Sequence, residues 1–243
     1  MTPFWIALQF LTRLPVRLVG MPTPEQTGRS LLCYPLVGGV IGLLLLAAAH
    51  LLNGAPVALQ AALLLALWVA LTGALHLDGL ADSADAWMGG FGDRERTLTI
   101  MKDPRSGPIA VVVLVLLLLV KFAALLALLE HGDDLALLLV PVLGRGALLA
   151  LFLCTPYVRA GGLGEALAGH LPRSTAIAVL MVTVLACLLL GGLWVVLVTV
   201  GIFCWLRRMM LQRLGGTTGD TAGALLEVLE CGALITMALQ LAG

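Results

Sequence analysis

Long apolar runs constrain this chain more than any other feature. Crossing roughly 30 Å of hydrocarbon takes about 20 apolar residues at a rise of 1.5 Å each. Runs at 33–52, 55–77, 108–129, 135–154 and 222–242 meet or approach that length. A further run, 175–206, is too long for one crossing even with tilt. Gly191-Gly192 divides it, which predicts a tight helical hairpin of 175–190 and 193–206. The expected architecture is therefore all-α: a polytopic membrane helix bundle of about seven transmembrane helices, with 1–243 forming one membrane-embedded domain. Charged residues make up only 12% of the chain and apolar ones 60%, against roughly 25% charged in soluble domains. Such an excess is stable where the solvent is itself hydrocarbon.

The basic residues test that reading. Seven spans place the segments 1–32, 78–107, 155–174 and 207–221 on one side, and these hold every Lys and Arg except Lys121 and Arg145. The opposite connections, near 53–54, 130–134 and 191–192, hold none. By the positive-inside rule the basic side is cytoplasmic. A single span at 175–206 would instead carry Arg207, Arg208 and Arg213 outside. The formal net charge is zero, so no global basic field points to nucleic acid. The cysteines Cys33, Cys154, Cys187, Cys204 and Cys231 are scattered and lack a CxxC pair, which favours free thiols among helices. Residues Met1 to Val19 carry Pro3, Arg13, Pro15 and Arg17 and lack the apolar run of a secretory signal, so they are expected to stay in the mature protein.

Chemistry concentrates after the second run, in His76-Leu-Asp78-Gly-Leu-Ala-Asp82-Ser-Ala-Asp85. The stretch continues the second span without a proline, so a helix running past the membrane surface is expected. On that helix Asp78, Asp82 and Asp85 share an arc of about 60°. Carboxylates stacked this way raise one another's pKa unless a cation sits among them. Oxygen donors without clustered His or Cys suit Mg²⁺ or Mn²⁺ rather than zinc. The plain alternative is a solvated acidic helix end. Next, Lys102-Asp103-Pro104-Arg105-Ser106-Gly107 can clamp phosphate oxygens; juxtamembrane cations also serve as headgroup anchors. Gly215-Gly-Thr-Thr-Gly219-Asp220 leads into Glu227 and Glu230, carboxylates inside an apolar run that need partners. Lys121 and Arg145 are the available ones, so buried ion pairs joining helices compete with a catalytic reading. The loop from Pro156 through Arg159 to Gly164 binds substrate or merely connects. His76 lies opposite the aspartate stripe, which favours helix packing over a role as general base. The few aromatics suggest no stacking platform.

These motifs together resemble the cobalamin-5′-phosphate synthase family, also called adenosylcobinamide-GDP ribazoletransferases. The resemblance rests on Leu8 to Val16, Tyr34 to Gly38, His76 to Asp85, Met101 to Gly107, Pro156 to Arg159, and Gly219-Asp220 followed by Gly223-Ala224, Glu227 and Glu230. Ala86 stands where that family often has Gly; Thr12 and Pro104 stand where its members vary. The resemblance implies an inner-membrane enzyme with its site on the cytoplasmic side. It would use Mg²⁺, or Mn²⁺, to join adenosylcobinamide-GDP to α-ribazole or its 5′-phosphate, with release of GMP. It implies metal ligands at Asp78, Asp82 and Asp85, a diphosphate clamp of Lys102, Arg105 and Arg159 with Asp103 orienting Arg105, and Asp85 or Asp220 as proton acceptor. Substrates and lipid are the expected partners, nucleic acid is not, and a homo-oligomer is left open. Two alternatives compete. A CDP-alcohol phosphotransferase also sets aspartates on membrane helices, but its motif continues Asp-Gly-x-x-Ala-Arg, whereas Asp82 follows here. An ion-coupled transporter would show repeated halves and mid-membrane charges.

Overall fold

The computed structural model describes residues 2–18 and 20–241. Met1, Val19 and the expected end of the last span at 242 lie outside them. The described residues form α1 (Pro3–Leu11), α2 (Pro24–Ser30), α3 (Tyr34–Leu51), α4 (Val57–Thr72), α5 (Leu75–Gly89), α6 (Arg94–Ile100), α7 (Pro108–Glu130), α8 (Leu135–Cys154), α9 (Leu163–Gly169), α10 (Arg173–Gly191), α11 (Leu193–Leu214) and α12 (Gly219–Leu241). A turn of 3₁₀ helix, Leu31–Cys33, runs α2 into α3. Six helical stretches are long and apolar enough to cross a membrane: Pro24–Leu51, α7, α8, α10, α11 and α12. The hairpin at Gly191-Gly192 is present; Gly192 has φ +86°, a conformation that favours glycine. Helix α11 runs on to Leu214, so Arg207, Arg208 and Arg213 lie in its last turns and not in a loop.

The expected span 55–77 is where the structure departs from the sequence reading. Helix α4 stops at Thr72 and α5 restarts at Leu75, turned by 87°. Gly73 and Ala74 both sit in the left-handed region, with φ of 63° and 57°. Left-handed geometry costs a non-glycine residue about 1–2 kcal/mol, and Arg13 packs across the turn against Gly73. No proline announces this break. Consequently α4 and α5 are not one straight span: α5, with its aspartates, turns away from the axis of α4, falls outside the six stretches above and packs against α12 and α7.

Helices α8 and α12 form the buried centre, while α7, α10 and α11 turn Val111, Val115, Leu119, Met181, Leu189 and Leu197 outward to lipid. Small residues let the central helices approach. A Cβ on Gly42 would lie 2.7 Å from Leu138 Cα, so α3 packs backbone to backbone on α8, as expected where dispersion rather than hydrophobicity drives helix association. The arginines of the basic face cap helix ends. Arg94 Nε donates to Leu214 O at 2.8 Å, Arg207 Nη2 to Cys154 O at 2.6 Å and Arg213 Nη2 to Trp87 O at 2.7 Å. Last-turn carbonyls have no partner inside their own helix, and a guanidinium there also meets the negative end of the dipole. These contacts tie the ends of α5, α8 and α11 together at one face.

Candidate active site

Helix α5 meets the start of α12 through two glycines. A Cβ on Gly79 would lie 2.7 Å from Asp220 O, and one on Gly223 3.1 Å from His76 Cα. That approach sets Asp78 and Asp82 of α5 beside Asp220 of α12. Asp220 Oδ2 accepts from Arg159 Nη1 at 2.8 Å. Arg159 is carried by the segment 156–158, which pairs with the residues ahead of α12: Val158 N donates to Thr217 O at 3.0 Å and Thr217 N to Pro156 O at 2.8 Å. Gly216 lies against Pro156 O with no space for a side chain. The glycine-rich segment and the Arg159 loop, far apart in sequence, are therefore one structure.

Asp78, Asp220, Arg159 and His76 line a cavity of about 470 Å³. Burial pushes the Asp82 carboxyl up to about 6, helped by the charges of Asp78, Asp220 and Asp85 and opposed by Arg159. The region thus holds more negative charge than its guanidinium offsets.

Asp85, the third residue of the expected metal triad, is engaged at the start of α7. Both of its oxygens accept backbone N–H groups at the start of α7, from Gly107 and, at 3.0 Å, from Ala110. Helix α7 has no capping side chain of its own, and an anion is the natural partner for its free amides. A Cβ on Gly107 would lie 2.7 Å from the Asp85 carboxylate, which accounts for that glycine. Asp85 anchors the 101–107 loop through both oxygens, which favours a positioning role for it. Among the described residues no three His, Cys, Asp or Glu side chains form a metal cage by themselves. The donor set nonetheless fits a hard divalent cation. Mg²⁺ commonly takes one or two protein carboxylates and fills its remaining positions with phosphate oxygens and water. Asp78 and Asp82, neighbours on α5 where negative charge is in excess, are the carboxylates that would supply that share.

Asp103 grips Arg105 bidentately, Nε to Oδ1 at 2.9 Å and Nη2 to Oδ2 at 2.7 Å, as expected. This pairing pulls the Asp103 carboxyl down to about 2. Lys102 and Arg105 are exposed, and the loop is held by Asp85 and by buried Met101, whose Sδ accepts from Thr218 Oγ1.

Glu227 and Glu230 stand apart from this cluster, about two to three turns inside α12. Lys121 Nζ donates to Glu227 Oε2 at 2.6 Å and to Glu230 Oε2 at 2.9 Å, and Arg145 Nη1 donates to Glu230 Oε1. All four are buried, and Lys121 also faces the Trp68 ring at 5.2 Å. The ion-pair reading of these residues fits the structure. His76 is buried against α12 and Nδ1 has no partner. It packs the helix, as expected, and also lines the cavity. The sequence reading missed the aromatics. Phe10 stacks on Tyr34 and Phe152 on Tyr157, and all four line the same cavity. Phe10 and Tyr34 lie on separate helices, and Phe152 and Tyr157 meet only because the chain turns after α8, so helical spacing carried no signal.

A multi-pass bundle that gathers carboxylates and a guanidinium around a cavity at one face defines a class, the membrane-embedded enzymes with a polar site at the bundle end. Within it, the chain belongs to the cobalamin-5-phosphate synthase family, whose model matches residues 3–238. A Pseudomonas putida protein named adenosylcobinamide-GDP ribazoletransferase is 69% identical over 242 residues, 98% of this chain and 99% of its own length. Proteins of the same name from Pseudomonas entomophila and Pseudomonas syringae are 68% and 67% identical, covering 99% and 98% of this chain and 100% of each relative. No solved structure matches the chain.

Proposed function

We propose that the chain is an adenosylcobinamide-GDP ribazoletransferase, transferring the cobinamide phosphate group to a ribose hydroxyl of α-ribazole or of its 5′-phosphate. A new P–O bond forms from that hydroxyl to the phosphorus attached to cobinamide. The diphosphate P–O bond breaks, GMP leaves with the bridging oxygen, and the hydroxyl proton passes to a carboxylate. The observation that carries this reading is the meeting of Asp220, Arg159 and Asp78 on one cavity wall, with Asp82 adjoining.

Asp220 is the proton acceptor: it lines the cavity, and Arg159 holds its carboxylate in place through one oxygen. Arg159 also neutralises phosphate charge, and Lys102 and Arg105 meet the outer phosphate from the loop that Asp85 pins. Mg²⁺ or Mn²⁺, held by Asp78 and Asp82, would supply charge neutralisation at the phosphoryl oxygens. The site faces the cytoplasm of a bacterial inner membrane, a placement supported by the arginine-rich face that carries it. Large polar substrates reach that face without entering hydrocarbon.

Detergent-purified protein supplied with Mg²⁺, adenosylcobinamide-GDP and α-ribazole phosphate should release GMP in step with corrinoid product. Folded protein that releases none refutes the assignment. Reporters fused after residue 131 should read outside and after residue 95 inside; the reverse would place the site on the other face.

A further inference from the structure

We infer that Arg13 is a further binding residue, and that the cavity it lines is an anion-binding lobe of the active-site cleft, taking a phosphate monoester carried by a substrate or product. The inference rests on the transferase reading and adds a site that the reaction centre does not supply. The lobe encloses about 570 Å³ and adjoins the cavity beside Asp220: Phe10, Leu75, Gly161 and Gly162 line both. Together they make one cleft with differently charged ends. The Asp220 end carries Asp78, Asp220 and Arg159. At the other end Arg13 is the single charged residue among the described residues of the lining.

Arg13 also differs from the arginines already described. Arg94, Arg207 and Arg213 cap helix-end carbonyls, and Arg159 is held by Asp220. Arg13 enters no ion pair and no side-chain hydrogen bond among the described residues. Its position is nonetheless fixed. Arg13 N donates to Leu71 O at 2.7 Å near the end of α4, and its stem and Nε occupy the space where a Cβ on Gly73 would lie. Backbone and stem are ordered before any ligand arrives, which lowers the entropic cost of binding through the exposed head.

A guanidinium with no carboxylate beside it is a receptor for an oxyanion, and its planar fork meets phosphate bidentately. The reacting phosphorus has to lie with Asp220 and the aspartates that would hold the cation. The Arg13 lobe offers no carboxylate, so it receives a phosphate that is not being transferred. Two sources share that chemistry: a 5′-phosphate on the acceptor nucleoside, and GMP once it has left the reaction centre. In either case the lobe separates a phosphorylated nucleoside from its dephosphorylated form, a selectivity distinct from the chemistry at Asp220.

Calorimetry on the purified full-length protein, without the donor substrate, compares α-ribazole 5′-phosphate with α-ribazole and GMP with guanosine. At least one phosphorylated ligand should bind more tightly than its nucleoside. Arg13→Gln should weaken that ligand about 30-fold and leave the nucleoside unchanged, and Arg13→Lys, which keeps the charge without the fork, should recover part of the loss. Met21 lines the same lobe and is 93% exposed. Met21→Glu therefore adds a negative charge without disturbing packing and should weaken the same ligand, a readout that stands even if Arg13→Gln fails to fold. Loss in the α-ribazole pair assigns the lobe to the acceptor phosphate, and loss in the guanosine pair to the departing nucleotide. Equal loss for a phosphate and its nucleoside means that Arg13 only supports the α4–α5 turn and overturns the inference, as does wild-type affinity throughout. GMP release by the wild-type enzyme is scored separately. Its absence refutes the transferase reading, whereas its presence alongside an unaffected Arg13→Gln refutes only the lobe assignment.

Discussion

Two groups of ionisable side chains divide the polar chemistry of this bundle, and they are built on opposite principles. Deep among α7, α8 and α12, Lys121 and Arg145 meet Glu227 and Glu230, and positive and negative charges balance. At the end of the bundle, Asp82 feels Asp78, Asp220 and Asp85 against Arg159, and the charges do not balance. Ions buried in hydrocarbon persist only when paired, so the deep group pairs its charges and joins helices. The outer group is left wanting positive charge beside a cavity, a demand that a divalent cation would meet. Excess charge, more than the mere presence of charge, marks where chemistry occurs.

The largest effect is expected from Asp82→Asn. GMP release should fall about 10³-fold while gel-filtration profile and thermal midpoint stay at wild-type values; near-normal turnover would remove Asp82 from the metal site. Glu230→Gln should do the reverse. Taking one carboxylate from a buried pair costs about 3–5 kcal/mol, so thermal unfolding in detergent should shift down strongly while the KM of surviving protein stays within about two-fold. Unchanged stability with lost turnover would carry the deep group into catalysis and erase the distinction. Asp85→Asn removes the charge that caps α7. Stability should drop by about 1 kcal/mol and kcat by roughly ten-fold as the 101–107 loop loosens, with the Mg²⁺ requirement unchanged. A large rise in half-saturating Mg²⁺ would return Asp85 to the ligand set. Arg105→Ala should have the smallest effect: its ion pair with Asp103 is solvent-exposed and worth little to stability, so the KM for the donor should rise about three-fold with no change in thermal midpoint.

How legible these groups were in sequence follows from how local their causes are. The stripe of Asp78, Asp82 and Asp85 on one helix was legible, because helical spacing is a local property. The fate of Asp85 was not, since it depends on the uncapped start of α7, more than twenty residues away in the chain. Lys121 and Arg145 could be named as partners of the glutamates from cost alone: an intramembrane carboxylate needs a cation, and only these two cations lay inside spans. Which oxygen each one meets was a matter of packing.

The sequence by itself determined that this chain crosses a membrane repeatedly, where it turns at Gly191-Gly192 and which end of the bundle collects its arginines. Run length, glycine and charge asymmetry act locally against a solvent of known thickness. Only the tertiary structure decided that α5 breaks from α4 at Gly73-Ala74, that Gly79 and Gly223 bring Asp220 to the aspartates, and that Phe10, Tyr34, Phe152 and Tyr157 wall one cavity. Those outcomes depend on how closely two backbones can approach, a quantity that no single stretch of chain encodes.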